Sequence, residues 1–487
     1  MFKILLLVAL MATSPIFSSD AAAQTPDRSR PPAVGQSAEL ELPPIERHRL
    51  SNGIEVVMMR KTDIPLVQMN VIVEAGQANE RREAQGMASL TASLIDDGAG
   101  EYGALELADA FDFLGARFGT SASNHYTSLS LRVPSARFND AAALVADVLL
   151  RPHFDADELE RLRLDRLTTL IRNHDDPQTI AQTLFDRRLY GDDHPYGRSA
   201  IGAEDFLRDV SAEDVRAFYD RHFGPAVTTI ILAGDVSNDH LRVLEELFGD
   251  WTNDVAPQPA AVDAPRRSGS QIYLVDVPGA AQSVIRMGYV ALPRDTDEYD
   301  AINVMNTVLG GSFTSRINQN LREDKGYTYG ARSSFDFRPW PGPFSTGASV
   351  FTDVTAPALQ EFVNELRGIH EPIPSEEIEL AKNFLAMSYP QSFQSVSRIA
   401  SQLTSLVVDD MPDDYLNTYT SRILSVDPES AQAATAHIDP DNLTIVVVGD
   451  RSAIEESIRE LNLAPVEVLS VRDVLGEVPT IAMETTP

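Results

Sequence analysis

The order of apolar and polar positions along the first 250 residues predicts a mixture of strands and helices. Segments in which apolar residues alternate or run continuously favour strands, whereas apolar residues three and four positions apart favour helices. Because strands and helices fall in separate runs, the pattern indicates an α+β fold. The strands are predicted at 53–60, 67–74 and 127–133, and the helices at 86–95, 141–150 and 157–173.

The chain contains an internal duplication. Two strands with the same ending, VTTIILAGD and NLTIVVVGD, finish at Asp235 and Asp450, which are 215 positions apart. Nearer the start of each segment, Gln68 in PLVQMNVIVEAG precedes Gln282 in AAQSVIRMGYVA by 214 positions. Nearly equal offsets at both ends predict two homologous halves. A chain of 487 residues is long enough for each half to bury its own core.

Composition sets the boundaries of these halves. Lys3, an apolar run and the small residues Ala21 to Ala23 predict a secretory signal peptide whose apolar part is too short to span a bilayer. A stretch rich in Pro, Ala and Asp separates the two halves. The predicted domains are a signal peptide at 1–23, a flexible linker at 24–45, an N-terminal half at 46–250, an inter-half linker at 251–268, a C-terminal half at 269–465 and a tail at 466–487.

The side chains available for chemistry are limited. The chain has no Cys, which excludes disulfides, Cys-ligated metal and a Cys nucleophile. None of its nine His residues lies three or four positions from another, so no two His side chains share one face of a helix at ligand spacing. His125 and His194 are therefore interpreted as structural residues.

The charge balance is strongly acidic. The 72 acidic and 40 basic residues give a formal net charge of −32, which disfavours nucleic acid and anionic membrane as partners. Two interpretations of this charge stay open at this point. It either favours cationic peptides or only maintains solubility.

Three segments resemble the pitrilysin/insulinase-type peptidase family, whose members are also called inverzincins. They are SNGIEVVMMRKTDIPLVQMNVIVEAG, LYGDDHPYGRSAIG and LGGSFTSRINQNLREDKGYTYG, and the match runs in the family's order from about Leu50 to Arg451. The resemblance implies two homologous α/β-sandwich halves, each an internally duplicated unit of a sheet and helices. In the family these halves form a clam-shell around a chamber that takes unfolded peptides.

The metal motif of the family is degenerate in this chain. Active members carry His-x-x-Glu-His on the first helix of the N-terminal half, with two zinc ligands and a general base, and a Glu from a later helix completes the site. The corresponding positions here are Ser89, Ala92 and Ser93, and the later helix has no carboxylate at 167–172. Because hydroxyl and methyl groups replace neither imidazole nor carboxylate, this chain is expected to bind no metal.

The C-terminal half retains another part of the family's site. Arg322 and Tyr329 match an Arg and a Tyr, seven residues apart, that in the family reach across the chamber toward the zinc of the other half. A guanidinium and a phenol are donors that can hold a peptide carbonyl and stabilise an oxyanion. Gly310, Gly311 and Ser312 form a predicted turn that the resemblance links to binding of extended peptide by strand addition.

These observations lead to one hypothesis and one alternative of a different class. The chain is predicted to be a non-catalytic subunit of a heteromeric zinc metallopeptidase, inactive alone, whose Arg322 and Tyr329 act on peptide at the zinc of a family-related subunit bearing His-x-x-Glu-His. The alternative is a metal-free structural or peptide-holding protein. Unrelated catalysis is disfavoured because Ser89 and Ser93 have no neighbouring base. The signal peptide predicts export to the periplasm or extracellular space, and a homodimer stays open.

Overall fold

In the computed structural model, which describes residues 40–256, 258–265 and 268–481, the strands form two six-stranded mixed sheets. The predicted signal peptide lies outside the described residues. The first sheet contains β1 (Ile45–Arg49), β2 (Glu55–Arg60), β3 (Leu66–Val73), β4 (Arg117–Ala122), β5 (Thr127–Pro134) and β6 (Thr228–Gly234). The second contains β7 (Gln271–Asp276), β8 (Gln282–Val290), β9 (Arg332–Phe335), β10 (Pro343–Phe351), β11 (Thr444–Gly449) and β12 (Val466–Ser470).

Helices follow the strands in both halves of the chain. Those of the first half are α1 (Met87–Leu94), α2 (Ala104–Phe113), α3 (Phe138–Leu150), α4 (Ala156–Asn173), α5 (Pro177–Tyr190), α6 (Glu204–Asp209), α7 (Ala212–His222) and α8 (Asn238–Phe248). Those of the second half are α9 (Tyr299–Asn306), α10 (Arg316–Asn318), α11 (Thr355–Gly368), α12 (Ser375–Ser388), α13 (Val396–Val408), α14 (Tyr415–Ser425), α15 (Pro428–Ala433), α16 (Arg451–Glu460) and α17 (Val471–Leu475).

Short helical turns join these elements. The 3₁₀ turns are Gln77–Asn79, Arg82–Ala84, Ser135–Arg137, Pro195–Gly197, Pro225–Val227, Thr352–Val354, Tyr389–Phe393 and Ala434–His437, and two π-helical turns occupy Thr307–Gly311 and Gln319–Asp324. The six elements predicted from hydrophobic periodicity are confirmed as β2, β3, β5, α1, α3 and α4. Among the described residues, no helix is long and apolar enough to cross a membrane.

The two sheets share one topology, which confirms the predicted duplication. Their strand orders are β1-β2-β6-β3-β5-β4 and β12-β7-β11-β8-β10-β9. β6 lies parallel to β2 and antiparallel to β3, as β11 does to β7 and β8. Only the first strand in each order differs, because β1 pairs antiparallel with β2 whereas β12 pairs parallel with β7. The segment 466–487, which the sequence set apart as a tail, thus contributes an edge strand to the second sheet.

Both faces of each sheet are covered, which explains the continuous apolar runs in the central strands. Ile230 and Leu232 of β6 face the core shared with α1, α3, α7 and α8, while Ile231 faces the opposite side. In β11, Val447 and Val448 likewise belong to two different cores. A strand buried on both faces needs no polar alternation.

Each sheet takes one covering helix from the other half of the chain. α5, which precedes the inter-half linker, packs on β8 and β11 through Leu184 and Phe185. α13 packs on β3 and β6 of the first sheet through Ile399 and Leu403. Because the exchange is reciprocal, neither sheet is fully covered by its own half.

Candidate functional site

The three degenerate metal-motif positions lie on α1 and are bonded within the protein. The Ser89 hydroxyl donates to the backbone carbonyls of Gly86, at 3.2 Å, and Ala200. The Ser93 hydroxyl donates to the Ser89 carbonyl at 2.9 Å, and Ala92 is buried at 2% exposure. Both serines therefore act as local hydrogen-bonding groups of the helix and its neighbouring loop.

A cation from α4 lies against both serines. The Arg166 guanidinium donates to Ser89 Oγ at 3.0 Å, to Ser93 Oγ at 3.1 Å and to the Ile201 carbonyl at 3.1 Å. Burial lowers the pKa of Arg166 to about 10, so the group stays charged at neutral pH. The side chain thus holds α1, α4 and the 199–202 loop together through one fork of donors.

The residues at this position do not fit a zinc ion. Zinc requires anionic or imidazole donors, whereas α1 offers two hydroxyls that already accept from a guanidinium. The positive charge of Arg166 would repel a divalent cation from the same space. Within the described part of the chain, no group of three or more His, Cys, Asp or Glu side chains is arranged to hold a metal.

Rebuilding the motif alone is expected to leave the chain without zinc. In the variant Ser89→His/Ala92→Glu/Ser93→His, Arg166 remains beside the new ligands and no carboxylate from α4 completes the set. Metal analysis after dialysis should give far less than one zinc per chain, with a His-x-x-Glu-His relative treated identically as the control. Stoichiometric zinc in the triple variant would contradict this account of the site.

A buried carboxylate stabilises the start of α1. Gly86 precedes the helix with φ +93° and has no side chain that could cap it. Glu80 takes this role, because its oxygens accept from the backbone N–H groups of Gly86 at 3.0 Å and Ala88 at 2.8 Å. Burial raises the pKa of Glu80 to about 7, although both hydrogen bonds and the nearby Arg198 and Arg166 oppose that shift.

This shift predicts a pH dependence of stability. Glu80 has an ordinary pKa of 4.5 and a folded pKa of about 7. Its protonated form is favoured in the folded state, so its contribution is fully present below pH 4.5 and is lost as the pH rises to 7. The loss is about 3 kcal/mol. Urea unfolding at pH values between 4.5 and 7 measures this fall in the free energy of unfolding. The variant Glu80→Gln should lack it, whereas Glu101→Gln, at an exposed position, should retain it.

Tyr329 lies at the surface of the second half, whereas Arg322 is half-buried and forms an ion pair with Glu323 at 3.3 Å. Tyr329 is 85% exposed, and the adjacent Thr328 hydroxyl anchors its loop by donating to the Ser349 carbonyl at 2.7 Å. Arg322 lies over the Phe313 ring at 4.4 Å, and Phe313 is itself 61% exposed. Tyr329 and Phe313 therefore present exposed aromatic rings, and Arg322 contacts both the Phe313 ring and the Glu323 carboxylate.

Gly310 and Gly311 form the end of a helix, which corrects the turn predicted for them. They close the π-helical turn Thr307–Gly311, which continues α9, and the chain becomes helical again at Arg316. A Cβ at Gly310 would come within 2.4 Å of the Ser333 backbone nitrogen on β9. Glycine is therefore required here for the packing of helix on strand.

The remaining predicted residues differ in accessibility. Gly310 is buried, Gly311 is exposed and Ser312 is intermediate, so only the last two offer backbone to a ligand in this structure. His194 is bonded on both ring nitrogens, to the Tyr196 backbone N–H and the Val262 carbonyl. His125 pairs with the Tyr196 hydroxyl. Both His side chains thus have local structural partners.

Sequence reasoning missed Arg166 and Glu80. Arg166 lies one residue before the segment 167–172, in which the family resemblance implies a carboxylate ligand. The helical periodicity of α4, which determines the side chains on the face toward α1, is the signal that could identify it. Glu80 carried no comparable signal, because its role depends on a backbone bend that brings α1 back onto it.

Comparisons with known proteins agree with this geometry. A model described as Insulinase (Peptidase family M16) matches residues 55–200, and one described as Peptidase M16 inactive domain matches residues 209–385. The chain is 24% identical to the uncharacterized zinc protease YmxG of Bacillus subtilis over 72% of its own length and 85% of that protein. It is also 24% identical to an uncharacterized zinc protease of Streptomyces coelicolor, over 89% and 96% of the two chains.

Solved structures show the same fold. A peptidase M16 inactive domain from Pseudomonas fluorescens aligns with a TM-score of 0.77 at 25% identity, covering 83% of this chain and 98% of that one. The first half of the periplasmic protease PqqL from Escherichia coli aligns with a TM-score of 0.69 at 16% identity, covering 87% and 98%. The chain belongs to the pitrilysin/insulinase-type peptidase family M16, with a match to the family's inactive domain at residues 209–385.

Proposed function

We propose that this chain is the metal-free subunit of a heteromeric zinc peptidase. The observation that carries the proposal is the exposure of Tyr329 on an anchored loop, with the half-buried Arg322 against the exposed Phe313 ring, in a chain whose own α1 does not fit a metal. Because Tyr329 is 85% exposed, it does not pack in the core, and its hydroxyl is free to bond with a ligand. The Tyr329 hydroxyl is proposed to act on peptide bound at the zinc of another subunit.

Arg322 and Tyr329 would act as hydrogen-bond donors to the substrate. The guanidinium and the phenol hold the carbonyl oxygen of the peptide bond and stabilise the negative charge that develops on it. The zinc and its general base belong to a partner bearing His-x-x-Glu-His. Gly311 and Ser312, beside this surface, would offer backbone groups to an extended peptide. Substrates are proposed to be unfolded peptides, with cationic ones favoured by the net charge of −32.

The alternative function is a structural or peptide-holding protein without a peptidase partner. Both functions are compatible with an α1 that binds no metal, so the contacts of Arg166 with Ser89 and Ser93 do not distinguish them. Phe313 is 61% exposed, as Tyr329 is 85% exposed. Exposed aromatic side chains of this kind mark a surface that binds another molecule, which favours the peptidase subunit.

Co-purification tests the proposal directly. The tagged chain is expressed in its native host and recovered from the envelope and external fractions, which also tests the proposed export. Mass spectrometry and zinc analysis of the eluate should find a family-related, zinc-bearing subunit, and the complex should cleave peptides in a chelator-sensitive way. Recovery of the chain alone, metal-free and inactive toward peptides, would support the alternative.

A further inference from the structure

A cavity of about 450 Å³ lies where the two halves meet, beside the degenerate α1 site. α5, the two 3₁₀ turns before α1 and the 196–200 loop contribute its walls, and Arg338 from the second half completes them. Ala200 lines the cavity and its carbonyl also accepts the Ser89 hydroxyl, so the cavity adjoins the former metal position. Its size suits a short segment of peptide.

The cavity lacks the acidic excess of the whole chain. Four Arg residues and two Asp residues are among the lining side chains, whereas the chain as a whole has 72 acidic and 40 basic residues. Two of the four cations have carboxylate partners that stand outside the lining, Asp193 for Arg82 and Asp336 for Arg338. With these partners counted, four guanidinium groups and four carboxylates surround the cavity, so it is electrically balanced within a strongly acidic chain and repels an anion less than the rest of the surface does.

Two further lining residues have donor capacity that the protein does not satisfy with carboxylates. The Arg198 side chain donates to three backbone carbonyls, those of Glu80 at 3.1 Å, Asp192 at 3.2 Å and Asp193 at 2.6 Å. Gln77 is 6% exposed, and its buried side-chain Nε2 has no hydrogen-bond partner in the described part of the chain. A buried donor without a partner is costly unless a ligand supplies the acceptor.

We infer that this cavity binds a carboxylate, either the free C-terminal carboxylate of a peptide or an acidic side chain. Guanidinium forks match carboxylate oxygens in pairs, and the Gln77 amide supplies a further donor. Because the inference takes peptide as the ligand, it rests on the proposed function, but it needs only this chain and no partner subunit. The former metal position on α1 would then lie next to an anchored end of the peptide.

Binding of matched fluorescent peptides to the purified chain tests the inference. One short peptide has a free C-terminal carboxylate, a second has the same sequence amidated, and a third is amidated with one internal Glu. The free acid or the Glu peptide should bind about tenfold more tightly than the plain amide, the effect of one charge-assisted pair. Which of the two gains identifies the source of the carboxylate.

Two variants connect this preference to the cavity. Arg187→Gln removes a lining cation on α5 that contacts Asp192 at 3.6 Å, and should remove the preference, whereas Arg242→Gln on α8, away from the cavity, should keep it. Gln77→Leu should weaken carboxylate binding while leaving thermal stability equal or higher, because it removes an unsatisfied buried donor. A residue with only a structural role would not combine these two effects.

Three results would overturn the inference. Equal affinity for acid and amide peptides would exclude a carboxylate subsite while leaving peptide binding by the chain intact. Absence of binding by either peptide would also exclude the carboxylate subsite. Peptide cleavage by the reconstituted complex would then test the proposed peptidase function separately. Displacement of the acid peptide by inorganic phosphate at much lower concentration than by acetate would assign the cavity to phosphate.

Discussion

Replacing Arg322 by Ala or Tyr329 by Phe is expected to lower kcat of the reconstituted peptidase complex about 10²-fold or more, with a small change in KM. The reason is that each side chain is proposed to donate to an oxygen whose negative charge appears only in the transition state, and loss of one such donor costs this much in other enzymes. Steady-state cleavage of a quenched fluorescent peptide by the complex measures both constants.

The chain offers matched controls for this experiment. Tyr327→Phe changes a phenol two positions away that packs against the second core, and Arg332→Ala removes an exposed cation on β9. Both should leave kcat within about twofold, since neither belongs to the proposed pair. Arg322→Lys keeps the charge but loses the planar fork, so it should recover only part of the activity.

The double variant separates catalysis from assembly. If Arg322 and Tyr329 serve one oxyanion, the double variant should lose little more than the worse single variant, because residues that act as a unit are not additive. Co-purification of the variant with its partner should be unchanged. Normal turnover of the double variant in an intact complex would remove both residues from the mechanism, and loss of the complex itself would assign Arg322 and Phe313 to the subunit interface.

Local periodicity predicted six strands and helices of the first half, but not which sheet each helix covers. β2, α1 and α4 follow their predicted ranges because burial on one face, or on both, leaves a direct pattern in the sequence. α5 has apolar residues at helical spacing, as a helix covering its own sheet would have. Its partner is the second sheet, and that information lies in three-dimensional connectivity, which one sequence does not encode locally.

The candidate site likewise has features that the sequence predicts and features that depend on the three-dimensional structure. That Ser89, Ala92 and Ser93 offer no metal ligand could be predicted from the sequence, because the chemistry of a ligand is a property of its own side chain. The contact of Arg166 with both serines could not, since it depends on the distance between α1 and α4. The cavity beside it was equally hidden, because its lining residues are scattered from Gln77 to Arg338.

The exchanged helices should make the two halves unfold together, and Phe185→Ala should show it. Phe185 is 1% exposed and fills the core between α5 and the second sheet, so its truncation is expected to cost about 3 to 5 kcal/mol. Phe113→Ala, at a position that is 84% exposed on α2, should change stability by less than about 0.5 kcal/mol. Urea unfolding followed by circular dichroism gives both values.

Two tryptophans report on different parts of the chain. Trp251 packs against the core of the first half. Trp340 packs on the core between α5 and the second sheet, and its ring also contacts His125 and Tyr196 of the first half. Trp251→Phe and Trp340→Phe therefore each leave one reporter, of the junction between the halves and of the first core respectively. If α5 and α13 couple the sheets, Phe185→Ala shifts the unfolding midpoint of both reporters equally. Leu403→Ala on α13, fully buried against the first sheet, should do the same. A shift of the Trp340 midpoint alone after Phe185→Ala would mean that the core of the first half keeps its stability when the α5 contact is weakened, and that the exchanged helices do not couple the two halves.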